Sequence, residues 1–135
     1  MAKYSAYGTK LLRLAVEIAQ VTSISGPGIT LDTVDVTEHD GFGWEEVVPT
    51  ILRSGEVTLE IAYDPGASTH KHATGGLLYD LAQRAKTTYT LTFPSTPAVS
   101  WTFSAYVVGF EPSMPVDGAL TATVTLKITG KPTLA

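Results

Sequence analysis

The chain has 135 residues, 44% of them apolar and only 16% charged, with a formal net charge of −4. That length suits one domain, able to bury roughly 70% of the surface its unfolded form exposes. It has no cysteine, which excludes disulfides and thiolate metal centres, and its mildly acidic balance argues against a surface that grips nucleic acid by charge.

Residues 1–10 are small and polar with two tyrosines, and read as a flexible arm ahead of a single domain spanning 11–135. From 11 to 23 the sequence alternates. Leu12, Leu14, Val16 and Ile18 fall on one side and Arg13, Ala15, Glu17 and Ala19 on the other, which predicts one strand. Arg13 and Glu17 interrupt the apolar run here, so it does not read as a leader peptide. No run of about 18 uncharged apolar residues is present to span a bilayer. Ser25-Gly26-Pro27-Gly28 is a strong turn signal.

Residues 32–65 then hold nine of the thirteen acidic side chains against one base, Arg53. The stretch reads as strand, long acidic loop (37–54), strand. Inside the loop, WEEVVP at 44–49 suggests a short extended piece that Pro49 confines to an edge or a loop. The following run alternates cleanly, with Glu56, Thr58, Glu60 and Ala62 opposite Val57, Leu59, Ile61 and Tyr63.

Between 69 and 85 the apolar residues Leu77, Leu78, Leu81, Ala82 and Ala85 take helical spacing, weakened at the start by Gly75 and Gly76. Strands are expected at 87–93, 99–107 and 119–130, each with one apolar and one hydroxyl-rich face. Either threonine's fitness for strands explains those polar faces, or the sheet lines something wet and continues into neighbours. The fold class is therefore mainly β, a sandwich or barrel of antiparallel strands flanked by one helix.

Six segments, taken in order, carry a resemblance. They are SISGPG at 23–28, DTVDVTEHDGFGWEEVVP at 32–49, SGEVTLEIAYDP at 54–65, YTLTFP at 89–94, WTFSAYVVGFEP at 101–112 and ALTATVTLKITGKPTL at 119–134. In this order and spacing the chain resembles the major tail tube proteins of long, non-contractile-tailed bacteriophages. The inner tubes of contractile tails and of type VI secretion share that fold and stay open as alternatives.

The resemblance implies subunits that close into hexameric rings, with the rings stacking into a virion tube that carries the genome. It also implies assembly in the host cytoplasm, and tape measure, tail terminator and tail tip proteins as partners. Double-stranded DNA would pass through the lumen without specific binding, with no membrane partner, no catalysis and no cofactor.

Each requirement has candidate residues. Stacking needs a heterologous, non-closing contact, and the 37–54 loop carries Glu38, Asp40, Phe42, Trp44, Glu45, Glu46, Val47, Val48, Ile51 and Leu52. Folding of those apolar groups back onto their own core is the other option. A wall that lets DNA pass must not add cationic phosphate contacts. Glu56, Thr58, Glu60, Thr121, Thr123 and Thr125 suit it, their charge repelling the duplex over about 8 Å at physiological salt, whereas Lys127 or Arg13 in the lumen would count against the scheme.

Chemistry finds little support. The carboxylates around His39 and Asp40 lack the ligand spacing of a calcium loop. His70 and His72 read as a surface pair without partners, and no nucleophile elbow or phosphate-cradling glycine loop occurs. Trp101 and Phe103 read as core, not as a base-stacking platform. A carbohydrate-binding or adhesive β-sandwich is the competing class.

Overall fold

In the computed structural model, which describes residues 3, 5, 7–39, 43–95 and 97–134, the alternating runs become strands. In chain order they are β1 (Lys10–Arg13), β2 (Val16–Glu17), β3 (Val21–Ser25), β4 (Thr30–Asp35), β5 (Val47–Arg53) and β6 (Glu56–Ala62). The helix α1 (Leu77–Gln83) follows, then β7 (Thr87–Phe93), β8 (Val99–Ser113) and β9 (Thr121–Thr133). Among the described residues seven strands form one curled antiparallel sheet, ordered β2-β1-β7-β8-β9-β6-β3, while β4 and β5 pair only with each other.

The core lies on the inner face of the curl. Val57, Leu59 and Ile61 of β6 meet Ala122, Val124, Leu126 and Ile128 of β9, with Phe103, Ala105 and Val107 of β8 and Tyr89 and Leu91 of β7 beyond. The two-residue period from Glu56 to Ala62 and from Thr121 to Thr129 puts the large apolar side chains inside and the charged and hydroxyl ones outside, with Ala62 also on the outer face. In β8 a bulge between Val107 and Gly109 keeps Phe110 on the core side and Glu111 on the polar side.

The expected single strand at 11–23 is broken into three. Leu14 and Ala15 make a tight turn between Arg13 and Val16, both with positive φ (49° and 73°), and Gln20 makes a further one. The turn breaks the alternation: Ile18 is buried as its face assignment expects, but Leu14 and Val16 of that face are exposed, and Leu11 is buried instead. Nothing in a Leu-Ala pair signals such a turn, which ordinarily takes Asn-Gly.

The helix is shorter than the spacing suggests. Residues 69–76 form turns, with Gly75 at φ 95°, and a Cβ at Gly76 would collide with the Lys71 carbonyl. His70 is fully buried, not on the surface. Its Nδ1 accepts the Asp64 N–H at 3.3 Å, so its Nε2–H donates to the Ala19 carbonyl at 2.7 Å, joining the ends of two strands. A polar side chain with both nitrogens satisfied is compatible with burial.

One ionic cluster ties α1 to the sheet. Arg13 donates Nε–H to Asp80 Oδ2 at 2.6 Å and a terminal N–H to Oδ1 at 2.8 Å, and the Tyr89 hydroxyl donates to Oδ2 at 3.2 Å. The Asp80 hydrogen bond raises the Arg13 guanidinium above its ordinary range. Burial first, then the Asp80 charge and hydrogen bond, push the Tyr89 phenol above its usual value of 10.0.

A phenol with a raised folded pKa contributes stability below the unfolded value and loses it as pH climbs past that value. Stability is therefore expected to fall above about pH 10, more steeply than in Tyr89→Phe. Urea melts of both proteins from pH 8 to 11 measure the difference, and parallel curves would refute it.

Candidate functional site

Three features of the chain face outward. The first is the β4–β5 hairpin. Its strands pair from Thr30 opposite Arg53 to Asp35 opposite Val47, with a bulge between Leu31 and Thr33. Thr37 Oγ1 closes the tip by accepting the Glu46 N–H at 3.0 Å, and Asp35 Oδ1 accepts the Thr37 N–H at 2.9 Å. The Thr37 hydroxyl, which also donates to Asp35 Oδ1, and then the Thr37 N–H hold the Asp35 carboxyl below the usual carboxylate range. Near the root, Arg53 Nε donates to Asp32 Oδ2 at 2.7 Å.

Every residue of β5 is exposed, and so are Leu31, Val34, Val36 and Trp44. Trp44 and Leu52 stand 76% and 72% exposed. A two-stranded ribbon is marginal by itself in water, and this one is apolar on both faces. Among the described residues none of these side chains folds back onto the core. Much of the 37–54 stretch is strand, not loop, because Val47, Val48 and Ile51 are β-branched and Pro49 sits on an edge. Glu38, Glu45 and Glu46 sit at the exposed tip, whereas Asp40 and Phe42 lie outside the described residues.

The root fixes how the hairpin leaves the sheet. Gly55 has φ +71°, and a Cβ there would come within 2.6 Å of the Gly28 carbonyl oxygen on the other strand's approach. Gly55→Ala is expected to destabilise the subunit by about 2–3 kcal/mol through strain and clash. A thermal melt should show a drop of about 10 °C, and an unchanged midpoint would refute the reading.

The second feature is a polar patch on the outer face. Cross-strand register brings Thr58 opposite Thr125, Glu60 opposite Thr123 and Ala62 opposite Thr121. Neighbouring strands extend it, with Ser23 opposite Glu60, Ser25 opposite Thr58, and Glu111 opposite Thr123. All six sequence candidates for a wet wall thus share one face of two adjacent strands. Glu56 closes the row beside Lys127, their charged atoms 3.9 Å apart and both about half exposed, a pair worth little in water. Lys127 is on this face; Arg13 is not, being held by Asp80.

The third is an open cavity of about 600 Å³ at the hairpin end of the sheet, lined by Ile24, Leu91, Phe93, Val99 and Trp101. Phe103 is buried as expected, but Trp101 reaches the cavity rim, edge-on to Phe93 at 5.1 Å. Among the described residues no group of three or more His, Asp or Glu is placed to hold a metal ion, and no helix is long and apolar enough to cross a membrane.

The family model described as "Lambda phage tail tube protein, TTP" matches residues 4–135. The chain belongs to that family. It is a structural tail tube subunit, and the adhesin reading gives way. No curated protein sequence matches it.

Solved structures with the same fold include a chain of the native gene transfer agent virion, with TM-score 0.78 and 13% identity over 98% of this chain and 99% of that one. A chain of the PVC sheath/tube terminator, from an extracellular contractile injection system, gives 0.75 and 19% over 100% and 98%. A chain of the SPP1 tail tube gives 0.62 and 13% over 94% and 77%.

Proposed function

We propose that six copies of this subunit close into a ring and that rings stack into a hollow tube through which double-stranded DNA passes. The observation that carries this reading is the β4–β5 hairpin, apolar on both faces and, among the described residues, contributing nothing to the core of its own subunit. Such a ribbon gains its stability only when another chain covers it. The edge strands β2 and β3 supply the unpaired backbone groups by which neighbouring sheets join laterally.

The wall of the conduit is the patch of Glu56, Thr58, Glu60, Thr121, Thr123 and Thr125. Its hydroxyls keep it wet, and Glu60 and Glu111 repel phosphates, while Glu56 offsets the nearby Lys127. Tape measure protein fills the tube before the genome does, and terminator and tip proteins close its ends. The subunit works in the phage tail after assembly in the host cytoplasm. Its work is geometric and electrostatic, without catalysis.

Size-exclusion chromatography and negative-stain microscopy over a concentration series test the assembly. Rings and hollow tubes are expected, and discrete monomers at every concentration would count against the reading. The lumen assignment has its own test. In tubes of Thr58→Lys/Thr125→Lys, retained duplex DNA should fall off with salt at a log–log slope of about −0.9 per phosphate contacted. Wild-type tubes should retain none, and indifference of the variant to DNA would remove this face from the lumen.

A further inference from the structure

The arm ahead of β1 has no role in the tube reading, yet it borders the open apolar cavity. α1 covers the core where β7 begins, through the hydrogen bond from Tyr89 to Asp80. Toward the other end of β7 the core is open, and Leu91, Phe93, Val99 and Trp101 line a space of about 600 Å³. That volume has room for an aromatic ring, since whole small molecules occupy sites of about 300–1,000 Å³. Ser5 and Thr9 of the arm are on its rim.

Tyr7 falls between those two rim residues and is 92% exposed. An enclosed tyrosine ring buries about 150–250 Å², so this ring gains by moving the short distance into the cavity. The backbone suits the move. Gly8 has φ 95°, and among the described residues a Cβ there would meet only Pro94 Cβ, at an ordinary 3.5 Å. Pro94 itself lines the cavity, which makes Gly8 a pivot set against its rim. The bond from the Tyr7 N–H to Ser5 Oγ, 3.1 Å long, is local and moves with the arm. A seated phenol also has an acceptor. Ser95 lines the cavity and donates its hydroxyl to the Pro97 carbonyl at 2.9 Å, leaving its own oxygen free to accept.

In its present position the arm has a second neighbour. Tyr7, Gly8 and Thr9 face residues 21–24 of β3 across a smaller cavity of about 350 Å³. One side of β3 pairs with β6, and the other is the sheet edge. The Tyr7 ring therefore stands where a neighbouring strand has to approach.

We infer that Tyr7 is the latch of an N-terminal strap, which closes by seating the Tyr7 ring in the Phe93–Trp101 cavity and so clears the β3 edge for a second copy of the chain. The structure shows the strap open. Seating of the ring stands apart from the tube reading, whereas the clearing of β3 rests on it.

Trp44→Phe leaves Trp101, at the rim of the cavity, as the chain's one tryptophan. In that background the emission of dilute protein and its binding of the apolar dye ANS report the latch. Tyr7→Phe should match the parent. Tyr7→Gln, whose amide is costly to bury, should red-shift the emission and raise ANS fluorescence about threefold. Position 7 is exposed, so neither change disturbs folding, and matched thermal melts check this. Identical emission and ANS binding in all three proteins would overturn the latch. A difference that disappears on dilution would mean that a second copy's tyrosine fills the cavity, and would overturn it too. With Trp44 restored, a Tyr7→Gln chain closed in about a tenth of its molecules should need about tenfold more protein to assemble, and Tyr7→Phe no more than wild type. Equal thresholds beside the spectral change would overturn the gate on β3 and leave the latch. A wild type that forms no rings or tubes overturns the gate and the tube reading together, while the emission still decides the latch.

Discussion

Asp80→Ala is expected to destabilise the subunit by about 3–5 kcal/mol, the cost of leaving a paired charge without its partner. Asp80 is 1% exposed and accepts from both Arg13 and Tyr89, so its loss strands a guanidinium and a phenol together. With total stabilities of about 5–15 kcal/mol, this removes a large share of the fold's margin. It also frees α1, whose other anchors are few in a helix of seven residues. A double replacement, Arg13→Met/Asp80→Leu, should recover most of the loss, because the desolvation cost of the pair disappears with it. Urea unfolding of the two variants and the wild type measures both. An Asp80→Ala loss under about 1 kcal/mol would show that the cluster is solvated and weak.

Excising 34–48 and rejoining Thr33 to Pro49 through Asn-Gly is expected to abolish tube formation while leaving the subunit folded. Thr33 and Pro49 already face each other across the ribbon, so a two-residue turn closes the gap without moving the root. The described residues of the removed segment pack on no core residue, and its loss should change stability by no more than about 0.5 kcal/mol. Circular dichroism melts and microscopy at matched concentration separate the two effects. Tubes forming normally from the truncated chain would eliminate the hairpin as the stacking contact.

The sequence made the central strands legible because their side chains alternate without a break. Val57-Leu59-Ile61 and Ala122-Val124-Leu126-Ile128 read correctly, and their register then aligned all six residues of the polar patch on one face. At 11–23 the same rule failed, since the turn at Leu14-Ala15 interrupts the alternation and leaves Leu14 and Val16 exposed. No residue there announces a turn, and the strain is visible only in the backbone.

The 37–54 stretch was misread in part for a different reason. Its strand propensity was plain in Val47, Val48 and Ile51, but acidic residues and Pro49 argued for a loop, and a ribbon exposed on both faces has no alternation to detect. His70 carries no local mark of burial either. Its two partners, Ala19 and Asp64, become neighbours only through the turns at 69–76.

The most direct test of the conduit is a cryo-electron microscopy reconstruction of the assembled particle. Six subunits per ring are expected, with Glu60, Thr123 and Thr125 on the lumen wall and the β4–β5 hairpin seated on another copy. A tube whose inner wall is formed by another face, with this patch turned to the outside, would contradict it.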